Sequence, residues 1–159
     1  MRHAWATLVL SIALGCGARD GSASLGKMSP GGMPLAELSI KGRVLRIEVA
    51  ATEGDRTRGY RFRDAIPDGA GMLFVFPEAR WPRFVMGGVT VPLSIAFIGE
   101  DGRIREVCDM RLSPDEITAG AFKVPYALEV PMGWYARQGI GAGDVVEGLA
   151  EVVGRFPAK

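Results

Sequence analysis

Apolar and polar positions alternate most clearly in residues 38 to 50, LSIKGRVLRIEVA. Around Lys41-Gly42, Leu45, Ile47 and Val49 take one side and Arg46 and Glu48 the other. That period of two predicts a hairpin with one buried face. The run MLFVF at 72 to 76 predicts a fully apolar strand, and the stretch from Pro77 to Pro82 a turn. Phe84 to Met86 and Val89 to Ile98 read as strands on either side of Gly87-Gly88. Ile95 and Phe97 alternate with Ala96 and Ile98, so both faces are apolar, the mark of a central strand covered on both sides. After the Asp101-Gly102 turn, Arg103 to Asp109 returns as a strand; Tyr126 to Val130 and Val145 to Val153 complete the set.

Helical signals are brief. Thr52 is placed to cap a short helix, with Glu53 and Asp55 in its first turn, Arg56 and Arg58 later, and Gly59 to end it. Ser113-Pro114 predicts a helical turn, and Gly133 to Gln138 another. Seven or more short strands with one or two short helices predict a mainly β fold, a compact sandwich or barrel-like domain.

The N-terminus reads differently. Arg2 and His3 precede an apolar run from Ala4 to Leu14, followed by Gly15-Cys16. Eleven helical residues reach about 16 Å, well short of the roughly 30 Å hydrocarbon core, so the run predicts a signal peptide over 1–15 and not a transmembrane helix. Ala13-Leu14-Gly15-Cys16 resembles a bacterial lipobox, in which Cys16 is acylated after cleavage, although Ala13-x-Gly15 also suits an ordinary secretory signal. Residues 16–36, rich in Gly, Ser and Pro after the cysteine, fit a flexible tether. The folded domain is then expected over 37–155, with 156–159 as a tail. Gly17 after the cysteine resembles an outer-membrane address, so the expectation is an exported lipoprotein facing the periplasm or the cell surface.

Charge and residue counts remove whole classes of chemistry. Lys plus Arg is 19 and Asp plus Glu 18, a balance without the basic footprint of a nucleic-acid binder. The sole histidine, His3, lies in the leader, and Cys108 is the only cysteine besides Cys16. A mature chain without imidazole has no Ser-His-Asp or Cys-His mechanism and no His/Cys zinc site. No metal and no cofactor is expected. Cys108 reads as an inert strand residue. Gly139 to Asp144, GIGAGD, lacks the strand and helix of a phosphate loop and predicts a tight turn with Asp144 bonding its amides.

Several spaced blocks resemble the DUF192 (UPF0127) family: GYRFR at 59 to 63, GMLFVF at 71 to 76, FVM at 84 to 86, PLSIAFI at 92 to 98, ALEV at 127 to 130 and GIGAGD at 139 to 144. The resemblance covers about residues 38 to 153. It implies a compact, mainly β, sandwich-like domain, often exported, with no established biochemical role. Where the family reads roughly F-W-M-K-N-T, this chain has Phe84, Val85, Met86, Gly87, Gly88 and Val89, and Ser94 stands where the family usually has an acid. Any family activity that used those polar groups is in doubt here.

Arg63 and Glu129 are retained from the family blocks, and each is an ionic residue among apolar ones. They are expected to meet, either as a salt bridge that orders the sheet or as a site in which Arg63 binds an anion and Glu129 orients a donor or acts as a base. Phe84, Met86, Met72 and Trp134 are candidates to floor an apolar pocket, or to be plain core. The expected function is a membrane-tethered envelope binding or accessory module for a glycan, a peptide or a partner protein. The alternative is a hydrolase or transferase built on carboxylates alone, for which Glu129, Asp101 and Asp109 are the candidate acids, provided two converge in one cleft.

Overall fold

The computed structural model describes residues 28–159. The predicted signal peptide, Cys16 and most of the predicted tether lie outside the described residues.

The first hairpin forms as its pattern dictates. β1 (Leu35–Ile40) and β2 (Arg43–Ala50) pair antiparallel across Lys41-Gly42, both with positive φ. Thr52 caps α1 (Glu53–Arg58) by accepting a hydrogen bond from the Asp55 amide, and Gly59 ends the helix. That short helix carries the chain across to β3 (Ala70–Arg80), which lies parallel to β2. β4 (Arg83–Val85), β5 (Leu93–Ile98), β6 (Ile104–Met110), β7 (Ile117–Ala119) and β8 (Val124–Pro131) follow. The chain closes with α2 (Trp134–Arg137), β9 (Val146–Glu147) and α3 (Leu149–Arg155).

Seven strands form one sheet in the order β6-β5-β8-β3-β2-β1-β9, and β4 and β7 form a separate ribbon. The sheet curls back on itself. Val145, just before β9, bridges Arg103, just before β6, through the Val146 amide to the Gly102 carbonyl and the Ile104 amide to the Asp144 carbonyl. The mainly β expectation therefore holds, as one curled, barrel-like sheet.

Period-two alternation divides each strand between two cores. Leu45, Ile47 and Val49 of β2, Leu73 and Val75 of β3, Leu128 and Val130 of β8, and Ala96 and Ile98 of β5 point into the curl. Their neighbours Met72, Phe74, Ala127, Ile95 and Phe97 point outward, into a second core roofed by the β4–β7 ribbon and Tyr60. The ribbon lies close because Gly120 has no side chain: a Cβ there would stand 3.1 Å from the Phe97 ring and 2.9 Å from Pro82. All six residues of β5 are buried, as two apolar faces require.

Four local expectations are corrected. Pro77 does not end β3, because the register shifts between Val75 and Arg80 and frees that position from the ladder. Val89 to Val91 form no strand: Val89 closes a turn on the Met86 carbonyl, and both valines pack on the outer core without a ladder. Ser113-Pro114 starts a turn with no helix, and β7 follows it. Val145 to Val153 is not one strand, since Gly148 at φ 81 breaks it into β9 and α3, whose Leu149 and Val152 share a buried helical face.

Candidate functional site

On β8, alternation sends Leu128 and Val130 into the curl and leaves Glu129 outward, in the middle of the second core. Its cross-strand neighbours are Met72 on β3 and Ile95 on β5, both fully buried. Glu129 itself is only 4% exposed and forms no ion pair or side-chain hydrogen bond among the described residues. No fully buried polar side-chain atom there lacks a partner, so the carboxyl must keep an open side. That side is a cleft of about 470 Å³, with Glu129 among its lining residues. Burial pushes its carboxyl up to about 8, so at neutral pH it is mostly protonated and can donate a hydrogen bond.

Tyr60 enters the same cleft just after the helix-ending Gly59. It is 3% exposed, and its hydroxyl, like the Glu129 carboxyl, makes no hydrogen bond within the described residues. Burial raises its pKa first, and the Glu129 and Glu48 carboxylates add to the effect. The apolar walls come from Phe74, Phe76, Phe84 and Met86. Phe84 stands edge-on to Phe74 with ring centroids 5.0 Å apart, and 6.4 Å from Phe76.

The outer rim is basic. Arg56 is tied to the carbonyls of Ala51, Val75 and Lys159, and Arg58 to Asp55 at 2.7 Å. Arg61, Arg80 and Arg83 also line the cleft, and among the described residues none has a carboxylate partner within 4.0 Å. The Arg80 guanidinium lies 5.5 Å from the Phe76 ring centroid. Arg61 lays its stem along Gly88, whose φ of 79 the chain needs there. Trp81, 62% exposed, stands at the mouth.

The predicted site residues separate. Arg63 does not meet Glu129: its guanidinium is 2.7 Å from Glu48, which also accepts from Ser29 at 2.8 Å, and this cluster pins the segment before β1 to the sheet. Phe84 and Met86 line the cleft, with Met72 in the core beneath. Trp134 does not. It lies in the inner core, against Tyr135 with centroids 5.4 Å apart.

The other candidate acids do not join Glu129. Asp101 lies in an exposed turn with Arg105 at 2.8 Å, its pKa lowered chiefly by the Arg103 amide. Asp109 accepts a hydrogen bond from Ser94, whose oxygen in turn accepts from the Gly133 amide. Neither acid lines the cleft, and Ser94, the departure from the family's acid, lies outside it too. Cys108 is half-buried, and burial raises its thiol to about 11, far from a reactive thiolate. Asp144 accepts from the Gly141 amide, as its turn predicted.

Sequence reasoning passed over Tyr60, Arg61, Arg80, Trp81 and Arg83. The one local signal was the cluster Arg80-Trp81-Pro82-Arg83, cations and a tryptophan in an otherwise apolar neighbourhood, which reads as a turn until the fold wraps it round the cleft.

Solved structures similar to this chain include the following two. One, of a protein of unknown function from Novosphingobium aromaticivorans DSM 12444, is 27% identical with a TM-score of 0.74, covering 82% of this chain and 99% of that one. The other, from Sinorhizobium meliloti 1021, bears a name that suggests a transcription regulator; it is 29% identical with a TM-score of 0.69, covering 77% of this chain and 97% of that one. No curated protein matches. The family model DUF192, described as "Uncharacterized ACR", matches residues 36–148, essentially the whole curled sheet. The chain belongs to the DUF192 family.

Proposed function

We propose that this protein is an exported binding module, tethered to the envelope membrane through acylated Cys16, whose cleft holds a small ligand. The observation that carries this reading is Glu129: a carboxyl almost wholly buried, facing a cleft, with no partner among the described residues. The open side of that carboxyl leaves its hydrogen-bonding capacity free for a ligand, and one such bond contributes about 0.5–1.5 kcal/mol net. Tyr60 supplies a second hydroxyl beside it, and the aromatic and methionine walls supply the apolar contact usual in small-molecule sites.

Binding is favoured over catalysis because neither Asp101 nor Asp109 reaches the cleft, and the other acid of its lining, Glu53 at the start of α1, is solvent-exposed. A nucleic-acid role, suggested by the name of the Sinorhizobium protein alone, draws little support from a net charge of +1.

The test is chemical extraction of the full-length protein purified from envelopes. One small molecule should co-purify with the wild type and be depleted from Val85→Trp, a change at an exposed cleft position that narrows the opening without touching the core. Equal recovery from both proteins, or from neither, counts against the cleft. The tether is checked separately: metabolic lipid labelling should mark the wild type and be lost in Cys16→Ser.

A further inference from the structure

The binding reading leaves the ligand's chemistry open, and the rim of the cleft narrows it. Arginines that serve structure in this molecule have partners: Arg63 holds Glu48, Arg58 holds Asp55, Arg105 holds Asp101, and Arg56 is spent on three carbonyls. Arg61, Arg80 and Arg83 differ. They converge on one concavity from three different segments, after α1, at the end of β3 and at the start of β4, and none has a carboxylate partner among the described residues. Guanidinium groups are weakly hydrated, planar and suited to two-pronged contact with a carboxylate or a phosphate. Between low-dielectric walls, three of one sign concentrate a field that attracts anions.

The inner half of the cleft sets the rest of the ligand. Phe76, Phe84 and Met86 offer apolar, partly aromatic surface, and among the described residues the acid at the inner end is buried Glu129. A bare inorganic anion would meet only the rim and leave those walls wet. We propose that the cleft selects a small organic anion, a carboxylate or phosphate monoester held by Arg61, Arg80 and Arg83, with an apolar or planar body lying on Phe76, Phe84 and Met86. This inference rests on the reading of the cleft as a ligand site.

The test is calorimetric titration of the purified full-length protein with three probes of one shape: 2-naphthol, 2-naphthoate and 2-naphthyl phosphate. Each is measured against the wild type, against the double variant Arg61→Met and Arg83→Met, and against Val85→Trp. At least one of the two anions should bind roughly tenfold or more tightly than 2-naphthol, the scale of one charge-assisted contact. Which anion is preferred identifies the head group. In the double variant that preference should vanish while 2-naphthol binding persists, and in Val85→Trp all three should weaken. Arg61 is half-buried and Arg83 exposed, and unchanged melting of the double variant confirms that loss of preference is not loss of fold.

Equal binding of the three probes, weakened by Val85→Trp, would overturn the anion assignment and leave the cleft as a ligand site. An anion preference that survives the double variant overturns the assignment to these arginines. If no probe binds the wild type, the assignment falls as stated.

Discussion

The two faces of the same strands are built from different materials. The inner core is aliphatic, with Trp134 and Tyr135 at one end, and contains no methionine and no fully buried phenylalanine. The outer core holds Met33, Met72, Met86 and Met110 together with Phe74 and Phe97. The tyrosines show the contrast best. Tyr135, inside, donates its hydroxyl to the Leu128 carbonyl at 2.8 Å, so a buried polar group is satisfied within the chain. Tyr60, outside, is almost as buried and has no such partner among the described residues, and neither has Glu129. Branched aliphatic side chains have few rotamers and pack one way, whereas methionine adapts to varied neighbours. One face closes on itself as a core; the other opens onto the cleft.

That contrast can be broken most forcefully through pH. The folded-state pKa of Glu129 lies near 8, above the ordinary 4.5. The folded protein therefore binds the proton more tightly than the unfolded chain does. The stabilisation is fully present below about pH 4.5 and is lost as pH rises through about 8, on the order of 4–5 kcal/mol at the limit. Glu48 and Arg63 flank Tyr60 in the same neighbourhood and are common to both proteins in the comparison. Glu129→Gln, neutral at every pH, should match the wild type near pH 4 and melt well above it at pH 9. Identical pH profiles of the two proteins would mean that Glu129 is ionised and solvated in the fold.

The inner face should be unforgiving. Leu73→Ala removes a fully buried side chain from a rigid aliphatic core and should cost about 3 kcal/mol in denaturant unfolding. Arg63→Met comes next. It leaves Glu48, with 12% of its side chain exposed, only Ser29 as a partner, and should cost about 2 kcal/mol while leaving affinity at the cleft unchanged. A change in affinity without a change in stability would restore Arg63 to the site. The outer face should yield least: Met86→Leu conserves volume in an adaptable wall and should cost under about 1.5 kcal/mol. A loss as large as that of Leu73→Ala would erase the distinction between the two cores.

Elements governed by local chemistry were legible in the sequence. The Lys41-Gly42 hairpin, the Thr52 cap, the Gly59 stop and the two-faced burial of β5 follow from neighbours within a few residues. Residues 145 to 153 were not, because Val-Val-Glu-Gly-Leu-Ala-Glu-Val-Val fits a strand about as well as a helix until Gly148 adopts positive φ. The site divides the same way. Glu129 stood out as an acid inside an apolar run, and Phe84 and Met86, separately, as candidates to floor an apolar pocket. The partner of Arg63 could not be read, since the choice between Glu48 and Glu129 depends on which strands lie side by side. Tyr60 and the three rim arginines were hidden for a related reason: the parallel β2-to-β3 crossover and the β4–β7 ribbon bring them to Glu129 from distant parts of the chain.

The central claim is that the cleft ends on a carboxylic acid that burial keeps neutral and that has no partner among the described residues. Carbon-13 NMR of the Glu129 side-chain carboxyl, followed across pH in the ligand-free protein, tests it most directly. The account predicts a single titration near pH 8. A midpoint near the ordinary 4.5 would show a solvated carboxylate and contradict the account.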